Sequence, residues 1–310
     1  MLRSAAMPPD AVSPSALPPE ARAAVLAWYD ARGRALAFRS TRDPYAILVS
    51  EVMAQQTQIG RVVDAWSRFV ERFPTVAVLA AATPAEVLRA WQGMGYDRRA
   101  LNLRRAAQAI VADHGGRVPA SIAELERLPG VGPYTARAVA AIAFGQAVGA
   151  VDTNVRRVLG RALAADLPGL QAAADASVDP LRPGDWTHAL MDLGATVCRP
   201  RTPSCAACPL VAWCAFGRDR VDGATIAPAR PMPAGRGRAA PVPFTTTTRW
   251  LRGRIVDRLR AVDGSSWSRV DAPIGSHDGP AVQAALAALA RDGVVELDPS
   301  DPELARLALA

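Results

Sequence analysis

The sequence predicts an all-α domain followed by a small mixed module, and three observations carry that expectation. From Pro19 to about Phe216, apolar residues recur at three- and four-residue spacing. Short Gly/Pro punctuation separates these runs, and the apolar/polar alternation of strands is not evident there. With 310 residues, half of them hydrophobic, the chain can bury one large core or two modest ones.

Residues 1–19 are rich in Pro and Ala and lack an unbroken apolar core, so they read as a disordered leader and not a signal peptide. The helical domain then spans 20–216, with periodic segments at 21–32, 43–73, 84–92, 98–114 and 121–128. Residues 217–246 change character to Pro, Gly, Ala and Arg, the composition of a flexible linker. Beyond it, 249–262 and 281–291 have amphipathic helical patterns and 293–297 that of a short strand, which suggests a winged-helix-like module over 247–310. Apolar runs such as 136–151 are too short to cross a bilayer and are broken by Arg137. A soluble, cytoplasmic protein with no membrane partner is expected.

The formal net charge is +7 and the sequence pI is about 10.0, a balance that suits a polyanion such as nucleic acid. The chain contains no lysine, so all 36 basic side chains are arginines. Arginine grips phosphate in a rigid fork but cannot act as an amine nucleophile.

Four local signals carry chemistry. The four cysteines, Cys198, Cys205, Cys208 and Cys214, fall within 17 residues, with one CxxC pair flanked by single cysteines. That spacing favours thiolates wrapping a [4Fe–4S] cluster, while structural zinc more often uses two CxxC knuckles. Arg199 and Arg201 in the same loop could meet phosphate or simply be solvated. Leu128-Pro129-Gly130-Val131-Gly132-Pro133-Tyr134-Thr135 lies between helical patterns. Its glycines permit a sharp turn and expose N–H groups at a helix start, where phosphate binds. Asp152, ahead of Thr153-Asn154-Val155-Arg156-Arg157, has the placement of a helix N-cap, which also favours an ionised carboxylate. Glu51 on a helix would share a face with Ile47, Leu48, Ala54, Gln55 and Gln58. Apolar neighbours would raise its pKa and keep it protonated, as a general acid requires. Gln55-Gln56-Thr57-Gln58, next to it, suggests groups placed to hydrogen-bond bases.

In this order, the four stretches resemble the MutY adenine glycosylases of the helix–hairpin–helix superfamily. The resemblance runs from Trp28-Tyr29-Asp30 to Cys214 and also includes Ser50-Glu51-Val52-Met53, Gly95-Tyr96 and Met191-Asp192-Leu193-Gly194. It implies a two-lobed helix–hairpin–helix fold with an iron–sulfur loop, acting as a monomer on double-stranded DNA that contains a mismatch. By the same resemblance, Glu51 protonates the purine at N7 and helps activate water, and Asp152 stabilises the oxocarbenium-like sugar. Tyr134 hydrogen-bonds within that site, and Gln55, Gln56 and Tyr96 probe or wedge the duplex while the base is extruded. The hairpin glycines, Gly130 and Gly132, contact the DNA backbone.

The resemblance implies a base pocket near Phe38, Arg39, Ala54 and His188, where the chain departs from the family pattern. Pro-Trp-Arg becomes Ala37-Phe38-Arg39, a leucine becomes Ala54, and a glutamine or glutamate becomes His188. Ala54 and Phe38 are expected to enlarge the pocket. Asp97 replaces a second tyrosine and would put negative charge near the DNA path. The tail is too short and too helical for the Nudix-like domain that often reads 8-oxoguanine. Its Arg249, Arg252, Arg254, Arg258 and Arg260 are expected to meet phosphates from one helix. Adenine opposite 8-oxoguanine or guanine is the expected target, with thymine or uracil in mismatches as the rival.

Overall fold

The computed structural model describes residues 16–164, 168–217, 242–262 and 266–309. The first fifteen residues of the expected leader and residues 218–241 of the expected linker lie outside the described residues. The rest of the leader is part of the fold. Leu17 is only 2% exposed and its backbone N–H donates to Ser177 Oγ at 2.9 Å, so the helical domain begins before residue 20.

The chain divides into two compact units. One comprises the described parts of Met1–Ala35 and Arg137–Arg230, the other those of Leu36–Ala136 and Pro231–Ala310. In the first, α1 (Pro19–Arg32), α9 (Thr153–Leu163), α10 (Leu170–Ala176) and α11 (Pro183–Asp192) pack around Val25, Leu26, Val158, Leu159, Trp186 and Leu190. Each fully buried side chain of this kind contributes about 1.5–3 kcal/mol. A π-helical turn, Leu193–Val197, follows α11 and leads into the cysteine loop.

The second unit holds α2 (Pro44–Ala54), α3 (Ile59–Arg72), α4 (Val76–Ala81), α5 (Pro84–Ala90), α6 (Arg98–His114) and α7 (Ile122–Arg127). It also holds the start of α8 (Pro133–Phe144). Helix α2 is central: every residue from Tyr45 to Met53 is buried, as expected of a helix apolar on all sides. The sequence reading ran 43–73 as one helical segment, but α2 ends at Ala54 and α3 starts at Ile59. Gln56 takes φ 54°, a left-handed conformation that ends the helix, so the glutamines lie in a turn rather than along a helical face.

The C-terminal residues build α12 (Thr248–Arg260), α13 (Gly279–Arg291) and a three-stranded antiparallel sheet of order β1-β3-β2. The strands are β1 (Ser268–Arg269), β2 (Val295–Leu297) and β3 (Leu304–Leu307). The sequence pattern carries β2, while β1 and β3 are too short to show alternation. The sequence pattern suggests a separate module here, and the segment groups with the second unit. Ala85 N–H donates to Ala308 O at 2.9 Å, and Arg89 Nη2 to Val262 O at 3.1 Å. Arg260, 7% exposed at its side chain, donates to Leu88 O and pairs with Asp97 at 2.6 Å.

Most of the arginines expected to meet phosphates have partners inside this unit. Arg252 pairs with Asp292, Arg254 with Asp257, and Arg258 donates to the Asp271 carbonyl. Asp97, expected to put negative charge near the DNA path, pairs with Arg260. The sequence showed a basic helix. The carboxylates that neutralise most of it come from distant or neighbouring turns.

Candidate active site and nucleic-acid interface

The hairpin between α7 and α8 is fixed by one close approach. Gly130 takes φ 80°, and a Cβ there would stand 2.8 Å from Asn102 Cβ, so only glycine fits. Val131 N–H closes the turn on Leu128 O at 3.1 Å, and Pro133 starts α8. Gly132 differs: a Cβ there would meet nothing within 4 Å. Its lack of a side chain is not needed by the fold around it. We expect Gly130→Ala to lower thermal stability, and Gly132→Ala to leave stability near parental while weakening duplex binding. Melting curves and a binding isotherm on each variant check this.

Glu51 sits in the last turns of α2, 7% exposed. Tyr134, in the first turn of α8, donates its phenolic O–H to Glu51 Oε2 at 3.0 Å. The hairpin thus delivers a hydroxyl to a buried carboxyl group. Gln55 caps the end of α2, and its Nε2 donates to Thr135 Oγ1 at 3.2 Å and reaches Gly130 O at 3.4 Å. Gln56 is exposed. Glu51, Tyr134, Gln55 and Gly130 are thereby brought together.

Arg99, which sequence reasoning missed, ties this region to the Gly95-Tyr96 turn. Its Nη1 donates to the carbonyls of Val52 and Met53 at 3.0 Å, and its Nη2 to Thr57 Oγ1 and Met94 O at 3.0 Å. Its Cζ lies 5.4 Å from the ring centroids of both Trp91 and Tyr96. One guanidinium satisfies the carbonyls that α2 leaves open at its end. An arginine in an amphipathic helix gives no sequence signal of that task. Tyr96 is 39% exposed and takes φ 50°, a conformation rare for a residue with a side chain.

The residues expected around a base pocket are divided between the two units. Phe38, in a 3-10 turn (Ala37–Arg39), is buried with its ring edge-on to Trp66, centroids 6.2 Å apart. Its ring packs in the core of the second unit. Arg39 and Ala54 are half-buried. His188 is buried on α11 with its ring centroid 6.5 Å from that of Tyr29.

Asp152 caps α9. Its Oδ1 accepts from Val155 N–H at 2.7 Å and its Oδ2 from Asn154 Nδ2 at 3.0 Å. Arg157 continues the chain: its Nη2 donates to Asn154 Oδ1 at 2.8 Å and to Gly194 O at 2.7 Å, and its Nε to Cys198 O at 2.7 Å. Gly194 is needed because a Cβ there would come within 2.5 Å of Asn154 Cβ. The Met191-Asp192-Leu193-Gly194 run thus has a physical reading: Gly194 admits Asn154, and Asp192 pins the chain after α1. Arg34 N–H and Nε donate to the two Asp192 oxygens at 2.8 and 2.7 Å. On the other side, the Gly149 N–H donates to Asp175 Oδ1 at 2.8 Å, and Arg137 pairs with the same carboxylate.

The four cysteines line one apolar cavity with Val197, Pro203, Val211 and Phe216. Among the described residues no three His, Cys, Asp or Glu converge closely enough to share a single metal ion. Thiols spaced around a cavity suit a polynuclear cluster better than one four-coordinate zinc. Burial first, then the neighbouring cysteines, push the Cys208 thiol up to about 11, and burial raises Cys214 too. Arg161 anchors the loop, its Nη1 3.3 Å from Cys198 Sγ and its Nη2 donating to Pro200 O at 2.8 Å. Arg199 and Arg201 are exposed. No helix among the described residues is long and apolar enough to cross a membrane.

Known proteins are similar to this chain in sequence and in fold. The family model described as "HhH-GPD superfamily base excision DNA repair protein" matches residues 49–173. Over 251 residues the chain is 45% identical to an adenine DNA glycosylase of Mycobacterium tuberculosis, covering 77% of this chain and 78% of that protein. Among solved structures, a thermostable thymine-DNA glycosylase superposes with a TM-score of 0.61 at 30% identity, over 64% of this chain and 95% of that one. Endonuclease III in a non-covalent DNA complex shares the fold, with a TM-score of 0.55 at 24% identity, over 65% of this chain and 95% of that one.

Proposed function

Because the chain belongs to the HhH-GPD superfamily of base excision DNA repair proteins, among adenine DNA glycosylases, we propose that it flips adenine out of double-stranded DNA and hydrolyses its bond to the sugar. The opposite base is 8-oxoguanine or guanine, and the enzyme is monofunctional. The observation that carries this reading is the Tyr134 hydroxyl on the buried Glu51 carboxyl group at 3.0 Å.

Glu51 donates a proton to adenine N7, which turns the base into a neutral leaving group as the glycosidic bond breaks. Tyr134 holds the carboxyl rotamer through its O–H. Asp152, oriented by Val155 N–H and Asn154, faces the positive charge that develops on the sugar. Water then adds to that carbon, with Glu51 taking back the proton. Gln55, Gln56 and Tyr96 probe the duplex, and Gly132 lets phosphate approach the backbone at the start of α8. Extrusion costs a few kcal/mol, least for a mispaired base. One chain carries the whole set, so a monomer suffices.

Cys198, Cys205, Cys208 and Cys214 hold a [4Fe–4S] cluster, whose cationic irons offset the burial and repulsion of four thiolates. Its role is structural, tying the 198–214 loop to α9, and a reducing cytoplasm suits it. Anaerobically purified protein should contain about four irons per chain and a visible absorption shoulder, measured by metal analysis and spectroscopy. Zinc without iron would reverse the assignment.

A lyase step through a Schiff base needs an amine, and the sequence has no lysine, with Tyr134 two residues after the last hairpin glycine. Borohydride should trap no more enzyme–DNA adduct than an N-terminally blocked control. The second reading, thymine excision from mismatches, is favoured by the thymine-DNA glycosylase likeness. A base-release assay across A, T and U opposite G and 8-oxoguanine tests both. Release of adenine is expected to dominate.

A further inference from the structure

Of the α12 arginines, Arg249 is the one whose partners are rings. Arg252, Arg254 and Arg260 pair with carboxylates, and Arg258 donates to a carbonyl. Arg249 places its Cζ 4.0 Å from the Tyr96 ring centroid and 5.8 Å from that of Phe244. It is exposed, and it occupies the first turn of α12, where the helix dipole disfavours a cation. Tyr96 meets a second guanidinium, Arg99, at 5.4 Å. Burial chiefly, and Arg249 in smaller part, hold Arg99 below the ordinary arginine value. Attraction of each guanidinium to the shared ring offsets the repulsion between the two cations, and it holds an exposed ring whose backbone is strained. Phe244, 59% exposed, extends the same surface.

We infer that Arg249 is a positioning residue for Tyr96. The C-terminal segment brings one guanidinium against the ring and α6 brings another, so that Tyr96 enters the duplex already in its working conformation. The segment's contribution to DNA recognition is then this preorganisation, and not a row of phosphate contacts. The inference rests on the proposed reading of Tyr96 as a duplex probe. Cation–π stacking holds the ring without using its hydroxyl, and Tyr96 remains 39% exposed.

The test is a double-mutant cycle of Tyr96→Ala and Arg249→Met. Binding is measured on a G:A duplex whose adenosine carries a 2′-fluoro group, so that the base is retained, with 2-aminopurine beside the mismatch reporting unstacking. Met keeps the apolar stem, and melting temperature checks the fold. Arg249→Met alone should weaken binding and reduce the fluorescence rise by about two- to fivefold. The same change should add nothing once Tyr96 is alanine. Arg249→Lys should recover part of the loss, and Arg254→Met should behave as the parent. An equal loss in the Tyr96→Ala background, with the salt slope lower by about one, would make Arg249 a plain phosphate contact and overturn the inference. No effect of Arg249→Met would overturn it as well. If Tyr96→Ala itself matches the parent in binding and fluorescence, the probe reading fails and this inference with it, while base release still tests the catalytic assignments separately.

Discussion

Replacing Glu51 by glutamine should lower single-turnover base release by about 10²–10⁴-fold while leaving duplex binding nearly unchanged. Glutamine keeps the shape of the side chain and can still accept from the Tyr134 hydroxyl through its carbonyl oxygen. It lacks the proton that adenine N7 must receive. A purely structural Glu51 would give the opposite pattern, because an amide at a 7% exposed position costs stability and spares the rate. Rapid-quench kinetics with a melting curve on the same sample separate the two. Near-parental turnover would eliminate the assignment.

The second large effect is expected at Asp152, where capping and catalysis coincide. Asparagine is as good an N-cap as aspartate, so Asp152→Asn keeps the bond from Val155 N–H. It loses acceptance from Asn154, whose amide cannot flip without giving up Arg157, at a cost of about 1 kcal/mol. If Asp152 were only a cap, that would be the whole effect. As the anion facing the developing sugar cation, its loss should cut base release by about 10²-fold or more. Asp152→Ala adds the lost cap, about another 1 kcal/mol, without a further large loss in rate. Activity retained in the asparagine variant would reduce Asp152 to its structural role.

The links from Asp152 through Asn154 and Arg157 to the Cys198 carbonyl give the cysteine loop a physical connection to this cap. Both ends are legible in the sequence but the path is not, because Arg157 sits in a helix where any arginine could be solvated. The same blindness applies to Arg99, Arg161 and Arg260. Each satisfies carbonyls or carboxylates far away in the chain, and nothing local distinguishes such an arginine from one in water.

What the sequence determined by itself are the features with local causes. Helical period, the Asp152 cap and the cysteine spacing depend on neighbours within a few residues, and each carries its own composition. The absence of lysine likewise removes a class of chemistry without any structure. Tertiary structure alone decided where partners lie. It ended α2 at Ala54 and put the glutamines in a turn, since the left-handed Gln56 depends on what the turn must reach. It buried Phe38 against Trp66, neutralised Asp97 with Arg260, and joined the C-terminal segment to the unit that carries Glu51. Those outcomes turn on contacts between residues 28 to 223 positions apart, such as Phe38 with Trp66 and Ala85 with Ala308. A side chain's charge or size is local information, but which group compensates it is fixed only when the chain has closed on itself.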